Sequence, residues 1–457
     1  MRGLPIEQRK DAESNVRLAY FGVFIQQGEA SELLPLIDGE WFVQDLEYRF
    51  LRIVKKLGRS EQATSGMAFV QAPGLSGATA WQGQQDQNKD NYYGFRTLLE
   101  EEQGRLLDIN PAEPIPASVE TLLLIGLPRF EAIETYHLDQ FLMRGGNLVM
   151  LAKGFDFQMQ EPDPRMAQFG LGGNAGIGFA TVPTEDLQRF NEWLGHYGVV
   201  VNGEILFEPR QGMPIYDLFG QFVRQFPYAA WPVYARSVGN IVTEHPALKS
   251  LEELVLPWPS SLDLREATQP DVSYEVLIRS SAAAVRRDSA SLDYAAVAQV
   301  GQSPADSYIG EEAPMAVLAS GKFRSAFRTE DLPDGVDPQR FRSGQVGDTR
   351  SHLVVVGTPY LVADLLLRNQ SGLQVFGINR AFVMNLLEAV QGDTDLAAAR
   401  SRVPALSHLS PLFPESPALQ SVFESLFTYI NVLLIPLCLA IFGTLRLMRR
   451  NQRRGLN

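Results

Sequence analysis

The chain has 457 residues, of which 45% are apolar, 20% charged and 10% aromatic. This composition is that of folded globular proteins and excludes disorder, collagen and coiled coil as the main state, and the length allows roughly two or three folded units. The 40 Lys and Arg against 53 Asp and Glu give a net charge of -13, which argues against nucleic acid as the partner, because phosphate contacts need clustered cations.

Strand and helix patterns alternate along the first half of the chain. The run TLLLIGL is apolar throughout and ends at Pro128, which is typical of a strand buried on both faces. A stripe at helical spacing follows, and Gly145-Gly146 ends that helix. The predicted elements are strands at Met67 to Gln71, Thr121 to Leu127 and Asn147 to Ala152, and helices at Tyr93 to Glu102 and Thr184 to Gly198. We therefore expect a doubly wound α/β first half.

The second half carries further strand patterns and one long helical stripe. Strands are predicted at Glu253 to Leu256, Tyr274 to Ile278, Met315 to Ala319 and Leu353 to Val356. Apolar residues at helical spacing from Ile378 to Val390 predict a helix with one core face. The aromatic-rich stretch from Tyr216 to Tyr234 either packs in the core or lines a groove for a glycan or peptide.

These patterns divide the chain into five segments. Two α/β regions are expected, a first domain at 1–250 and a second at 251–395. The remaining segments are a Pro- and Ser-containing linker at 396–425, a transmembrane helix at 426–447 and a basic cytoplasmic tail at 448–457.

The transmembrane helix is predicted from the sequence LFTYINVLLIPLCLAIFGTL. It runs from Leu426 to Leu445, twenty residues without a charge, and at about 1.5 Å per residue it matches a hydrocarbon core of roughly 30 Å. A buried core helix is the alternative, but only an Arg-rich tail follows the run. Small or polar positions within it are candidate contacts with other membrane helices: Asn431, Ala440, Gly443 and Thr444.

Charges on either side of this run predict the orientation of the chain. Five arginines and no acid follow it, namely Arg446, Arg449, Arg450, Arg453 and Arg454, so that residues 1–445 keep 35 bases against 53 acids. Because basic residues stay on the cytoplasmic side, the tail is expected in the cytoplasm and the acidic body outside it. The first residues lack the apolar segment of a signal peptide, so we expect a membrane helix upstream of Met1.

Motifs that carry catalysis or hold a cofactor are missing from the sequence. A P-loop needs Gly-Lys-Ser or Gly-Lys-Thr, but the one Gly-Lys pair, Gly321-Lys322, precedes Phe323. The region before the apolar run has neither a cysteine nucleophile nor a Gly-x-Ser-x-Gly elbow. The histidines lack the spacing of a zinc site: His137, His196, His245, His352 and His408. We expect no cofactor, no metal site and no catalytic residue.

Several segments, in this order, carry a family resemblance: RLAYFGVFIQQGEASELLPLI, LEYRFLRIVKKL, LLLIGLP, LDQFLMRGGNLVML, WLGHYGVVVNGEILFEPR, ELVLPWPSSLD, YEVLIRSSAAA, MAVLASGKFRSAF, HLVVVGTP and NRAFVMNLLEAVQGDTDLAAARSR. Together they resemble the GldG-like family, auxiliary membrane components of ABC-type transport systems that are linked in some bacteria to gliding motility. The resemblance implies a Rossmann-like, glutamine amidotransferase-like extracytoplasmic region, held at the bacterial inner membrane beside an ABC permease and its ATPase subunit.

The sequence thus predicts a non-enzymatic, substrate-facing accessory subunit of an ABC transporter. Its expected partners are the permease, the ATPase subunit, membrane lipid and an envelope ligand of undefined identity. Two other interpretations stay open. One is an envelope saccharide- or peptide-binding module that uses the aromatic residues between Tyr216 and Tyr234. The other is a hydrolase of envelope polymers, whose mark would be two carboxylates with perturbed pKa values in a pocket.

Overall fold

A computed structural model gives the architecture of the chain. It describes residues 4–10, 13–19, 22–28, 30–35, six residues between 49 and 57, 67–71, 92–103, 106–126, 131–159, 177–181, 184–219, 222–249, 251–292, 294–300, 302–347, 349–364, 366 and 370–392. The chain divides into two compact units, Met1–Val403 and Pro404–Asn457, and all of the described residues belong to the first.

Two separate antiparallel hairpins come first along the chain, β1 (Leu4–Lys10) with β2 (Glu13–Ala19) and β3 (Gly22–Gln27) with β4 (Ala30–Pro35). The next elements are β5 (Met67–Gln71), α1 (Tyr93–Gln103), β6 (Leu107–Asp108), β7 (Thr121–Ile125), α2 (Ala132–Met143), β8 (Asn147–Leu151), β9 (Asp156–Met159), β10 (Ile177–Thr181), α3 (Thr184–Leu194), β11 (Val199–Val201), β12 (Ile205–Phe207), β13 (Gly212–Phe219) and β14 (Phe222–Ala235). The last are β15 (Glu253–Val255), β16 (Leu262–Leu264), β17 (Val272–Arg279), β18 (Val285–Arg287), β19 (Ala290–Ser291), α4 (Tyr294–Val300), β20 (Pro314–Gly321), β21 (Ser351–Val356) and α5 (Gln370–Val390).

A seven-stranded mixed sheet organises these elements, in the order β17, β20, β21, β8, β7, β5, β6. The five strands from β21 to β6 run parallel, and β20 and β17 extend the sheet in antiparallel fashion. Counted along the chain, the parallel strands lie in the order second, first, third, fourth, fifth, so the direction of the connections reverses between β5 and β7. This reversal marks the switch point of the sheet.

The inner strands are apolar at most positions because the sheet is buried on both faces. In β7, Leu122 and Leu124 pack in one core cluster with residues of α2 and α3. Leu123 and Ile125 pack in the other cluster, with residues of α1, α5, β14 and β15. Successive side chains of a strand point to opposite faces, so the two clusters are the two faces of one sheet.

The predicted strands and helices are confirmed at most positions, and the mixed α/β class with them. The doubly wound arrangement expected of the first half stays a prediction. β8 needs a partner on its second edge, and β21 from the second half supplies it, with Leu148 opposite Leu353. The boundary proposed at residue 250 stays a prediction, and strands from both sides of it share the sheet.

Among the described residues, no helix combines the length and the apolar character that crossing a membrane requires. The predicted span at 426–447, the linker at 396–425 and the tail at 448–457 lie outside the described residues.

Candidate functional site

The residues 257–261, which we call the strap, lie across the carboxyl ends of β8 and β21. Ser260 N–H donates to Gly357 O at 2.7 Å, and Gly154 N–H donates to Ser260 Oγ at 3.2 Å. Thr358 Oγ1 donates to Pro257 O at 2.6 Å. The approach is so close that a Cβ on Gly154 would lie 2.1 Å from Asn202 O, and one on Gly357 2.0 Å from Ser260 O. Only glycine fits at these two positions.

Trp258 at the centre of the strap has an unusual backbone. Its φ is 45°, a region that costs a bulky residue on the order of 1–3 kcal/mol. The side chain is fully buried and makes edge-to-face contacts with Trp231 at 5.3 Å and Tyr360 at 5.4 Å. Trp258 N–H donates to Ala230 O at 2.8 Å. Burial of this ring offsets the strain, and the strap covers the carboxyl ends of β8 and β21.

The switch point between β5 and β7 combines a helix start that a carboxylate caps with an exposed tyrosine. In open α/β sheets ligands bind outside the carboxyl ends of the strands at this point, and α1 begins there after β5. Asp364 Oδ1 accepts the N–H of Gly94 at 2.9 Å, so a carboxylate of the chain already occupies the position that an anion would take at this helix start. Tyr93 beside it is 67% exposed. Lys153, two residues beyond β8, is 2% exposed.

A buried carboxylate, Glu208, lies on the side of the sheet where the parallel strands have their carboxyl ends. β17 runs in the direction of β21, so its carboxyl end and the following turn also lie at this edge. Ser281 in that turn donates from its N–H to Glu208 Oε1 at 2.7 Å and from Oγ to Oε2 at 2.6 Å. Burial raises the pKa of Glu208 to about 7, against the opposing effect of these hydrogen bonds and of Tyr234. Burial and Glu208 raise the pKa of Tyr234 well above its usual value.

A second glutamate, Glu204, directly precedes β12, whereas Glu208 directly follows it. It accepts a hydrogen bond from Ser261 Oγ of the strap and pairs with Arg286 Nε at 2.9 Å. Burial raises its pKa, while Ser261 and Arg286 act in the opposite direction. Both glutamates therefore fix segments of the chain itself, one the strap and the other the turn after β17.

On the opposite face of the sheet, Asp139 of α2 is fully buried. It accepts hydrogen bonds from Tyr197 OH, from Ser325 Oγ at 2.8 Å, from Ala326 N–H at 2.8 Å and from Gln140 Nε2 at 2.7 Å. Burial raises its pKa against the effect of these donors. Asp139 thus joins α2 to the loop after β20.

The residues singled out from the sequence are only partly covered by the structure. The membrane contacts Asn431, Ala440, Gly443 and Thr444 and the arginines Arg446, Arg449, Arg450, Arg453 and Arg454 lie outside the described residues. Of the aromatic stretch, Tyr228, Trp231 and Tyr234 are buried in the core. Within the described part of the chain, no group of three or more His, Cys, Asp or Glu residues is arranged to hold a metal ion.

Sequence reasoning missed Glu208, Lys153 and Trp258. The prolines on either side of Trp258, at positions 257 and 259, were the one available signal of an irregular segment, because proline lacks an N–H and restricts the residue before it. Nothing comparable marks Glu208, whose burial depends on the turn after β17, more than seventy positions away in the chain.

The chain is a mixed α/β protein, and two glutamates fix the segments that cover the carboxyl ends of its strands. A family model described as an ABC-type uncharacterized transport system matches residues 71–386, well over half of the chain. The chain belongs to this family, whose members are auxiliary components of ABC transport systems.

Two further similarities are more distant. An uncharacterized protein of Borreliella burgdorferi is 22% identical over 288 residues, 61% of this chain and 49% of its own length. The chain thus spans about half the length of that relative. A solved structure, described as a putative thua-like protein from Bacteroides uniformis, is 13% identical and matches 73% of this chain and 94% of its own. Its TM-score of 0.30 is too low to support a statement about the fold.

Proposed function

We propose that this chain is a non-catalytic, substrate-facing accessory subunit of an ABC transporter complex of the GldG-like type. Its large domain lies outside the cytoplasm, the 426–447 segment spans the bacterial inner membrane, and the chain contacts the permease and its ATPase subunit. The match of residues 71–386 to the auxiliary family is the observation that carries the proposal.

The apolar run from Leu426 to Leu445 supports the membrane part of the proposal. It has the length of a span, and the arginines that follow it favour a cytoplasmic tail. Small and polar residues such as Asn431 and Gly443 let a neighbouring helix approach closely, and a polar pair is worth about 0.6–2 kcal/mol.

The described sheet edge supports a binding role rather than a catalytic one. A general base must reach the proton that it removes from a substrate, whereas Glu204 and Glu208 accept hydrogen bonds from Ser261 and Ser281 of the chain. The exposed ring of Tyr93 at the switch point offers a contact for an envelope ligand. The order of the parallel strands supports a Rossmann-like relationship.

Co-purification tests the proposal directly. The tagged full-length chain is extracted in mild detergent beside a variant that ends before Leu426, and the bound proteins are identified by mass spectrometry. We expect a permease and an ATPase with the full-length chain and neither with the short one. A full-length chain that purifies alone would count against the accessory role.

A pair of variants tests the contact within the span. Asn431→Leu with Gly443→Leu removes a polar group and adds bulk, so we expect less permease to be retained. Val432→Leu is the matched control, since it changes the same helix without either effect. Equal retention by both variants would exclude this interface. Motility of a deletion strain tests the association with gliding separately.

A further inference from the structure

The residues 243–249, called here the clasp, join the edge strand β17 to helix α5. Thr243 Oγ1 donates to Glu275 Oε1 on β17. On the other side, Asn385 Nδ2 of α5 donates to Ala247 O at 3.1 Å. One short loop therefore attaches the last described helix to the edge of the central sheet.

His245 stabilises the clasp as a hydrogen-bond acceptor. Its Nδ1 accepts the N–H of Ala247 at 3.3 Å, and its own backbone N–H donates to Thr243 Oγ1 at 3.0 Å. An imidazole nitrogen accepts a hydrogen bond only when it carries no proton, so the clasp holds a neutral ring with its proton on Nε2. A proton added to Nδ1 would face the N–H of Ala247, and this hydrogen bond would be lost.

Charged groups reach His245 from several elements. Burial lowers the pKa of His245, and Glu275 of β17 acts in the opposite direction. Burial also lowers the pKa of His352 on β21, and His245 lowers it further. His352 Nδ1 lies 2.8 Å from Ser320 Oγ on β20.

Further charged groups lie in the clasp, in the turn before it and in α5. Glu244 in the clasp pairs with Arg236 at 3.3 Å, and Arg236 Nη2 also donates to Leu248 O at 2.8 Å. The clasp further contains Lys249. Helix α5 contributes Glu388, which is 1% exposed and lies one turn beyond Asn385.

We propose that the clasp is a proton-sensitive attachment of α5: acidification protonates His245, breaks its bond to the Ala247 N–H and loosens the loop that holds the helix. A proton is disfavoured in the folded state, so the clasp is closed above the ordinary histidine pKa of 6.5 and opens as the pH falls below it. Neutral His245 therefore stabilises the closed form, and acid removes this contribution.

In transport, the clasp would let the pH outside the cytoplasm act on the helix that precedes the predicted linker at 396–425. This role rests on the proposed function, whereas the response of the clasp itself does not. Exchange measurements on the chain need no transporter partner, so their outcome and that of co-purification are independent.

Hydrogen–deuterium exchange of the full-length chain in detergent, at about pH 7.5 and about pH 5.5, tests the clasp. Protection factors remove the intrinsic pH dependence of exchange. We expect residues 245–249 and the last turns of α5 to lose about fivefold in protection at the lower pH, the equivalent of one net hydrogen bond. Unchanged protection in the wild-type chain would overturn the proposal.

Variants assign the response to His245. In His245→Asn the side-chain oxygen still accepts the Ala247 N–H but does not titrate, so we expect equal protection at both pH values. His196→Asn, whose ring contacts Arg324 O instead, should respond as the wild type does. An acid response that persists in His245→Asn would refute the role of this residue.

Asn385→Ala tests the coupling and does not depend on the folding of the His245 variant. It removes the bond between α5 and Ala247, so the acid response should remain in residues 245–249 and vanish from α5. If α5 of this variant still responds as in the wild type, the clasp does not carry the signal to the helix.

Discussion

Replacing Glu208 with glutamine should change how the stability of the protein depends on pH. The carboxyl has a usual pKa of 4.5 and a pKa of about 7 in the fold, so the folded chain binds this proton more tightly than the unfolded chain does. The contribution of Glu208 to the free energy of unfolding is therefore fully present below about pH 4.5 and is lost as the pH rises to about 7. At about 1.4 kcal/mol for each tenfold change in proton affinity, the loss is about 3 kcal/mol.

Glutamine stays neutral across this range. Its oxygen accepts the N–H of Ser281, and its amide N–H donates to Ser281 Oγ, which reverses the direction of the second hydrogen bond. The free energy of unfolding of Glu208→Gln should accordingly vary less with pH and should exceed that of the wild type by about 2–3 kcal/mol at about pH 8. The two chains should be closest near about pH 5, where Glu208 is protonated in the fold.

Urea denaturation of the full-length chain in detergent, followed by tryptophan fluorescence from about pH 5 to about pH 8, measures both profiles. Glu311→Gln is the matched control because Glu311 is exposed in the fold and its replacement should leave the wild-type profile unchanged. Parallel profiles for the wild type and Glu208→Gln would refute the reasoning.

Two further predictions concern stability at constant pH. Asp139→Ala leaves several buried donors, Tyr197 OH among them, without their acceptor, and should cost about 3 kcal/mol or more by urea denaturation; a loss below about 1 kcal/mol would contradict this. Gly154→Ala places a Cβ against Asn202 O and should destabilise by more than about 2 kcal/mol. Gly377→Ala, in α5 with open space around it, should instead stabilise by about 0.4–1 kcal/mol. Equal effects of the two alanines would refute the close packing under the strap.

The apolar strands were predictable because burial on both faces leaves a continuous apolar run. The runs beginning at Thr121 and Asn147 predict β7 and β8 to within two residues at either end. The fourteen-residue strand β14 was not predictable, since its prolines argue against a strand. In the structure Pro232 lies where the register with β13 shifts at Gly212, an irregularity that accommodates the missing N–H.

The sequence did not predict which strands pair, and therefore it did not predict which residues meet at the carboxyl ends of the strands. Apolar pattern gives the strand but carries no information about its partner, so β21 could not be assigned to β8. The burial of Glu208 has the same origin, because Ser281 reaches it through tertiary packing. The predicted membrane contacts, Asn431 and Gly443 among them, follow from local composition and stay predictions.

The pairing of β8 with β21 has a consequence for the order in which the chain matures. It joins segments about two hundred residues apart, so the growing polypeptide leaves the ribosome with one edge of β8 bare until residues 351–356 have followed. A bare edge with two apolar faces is a template for aggregation. The sheet is therefore complete only after its late strand has been synthesised, and we expect a chain interrupted before residue 351 to be prone to aggregation rather than to be a smaller folded protein.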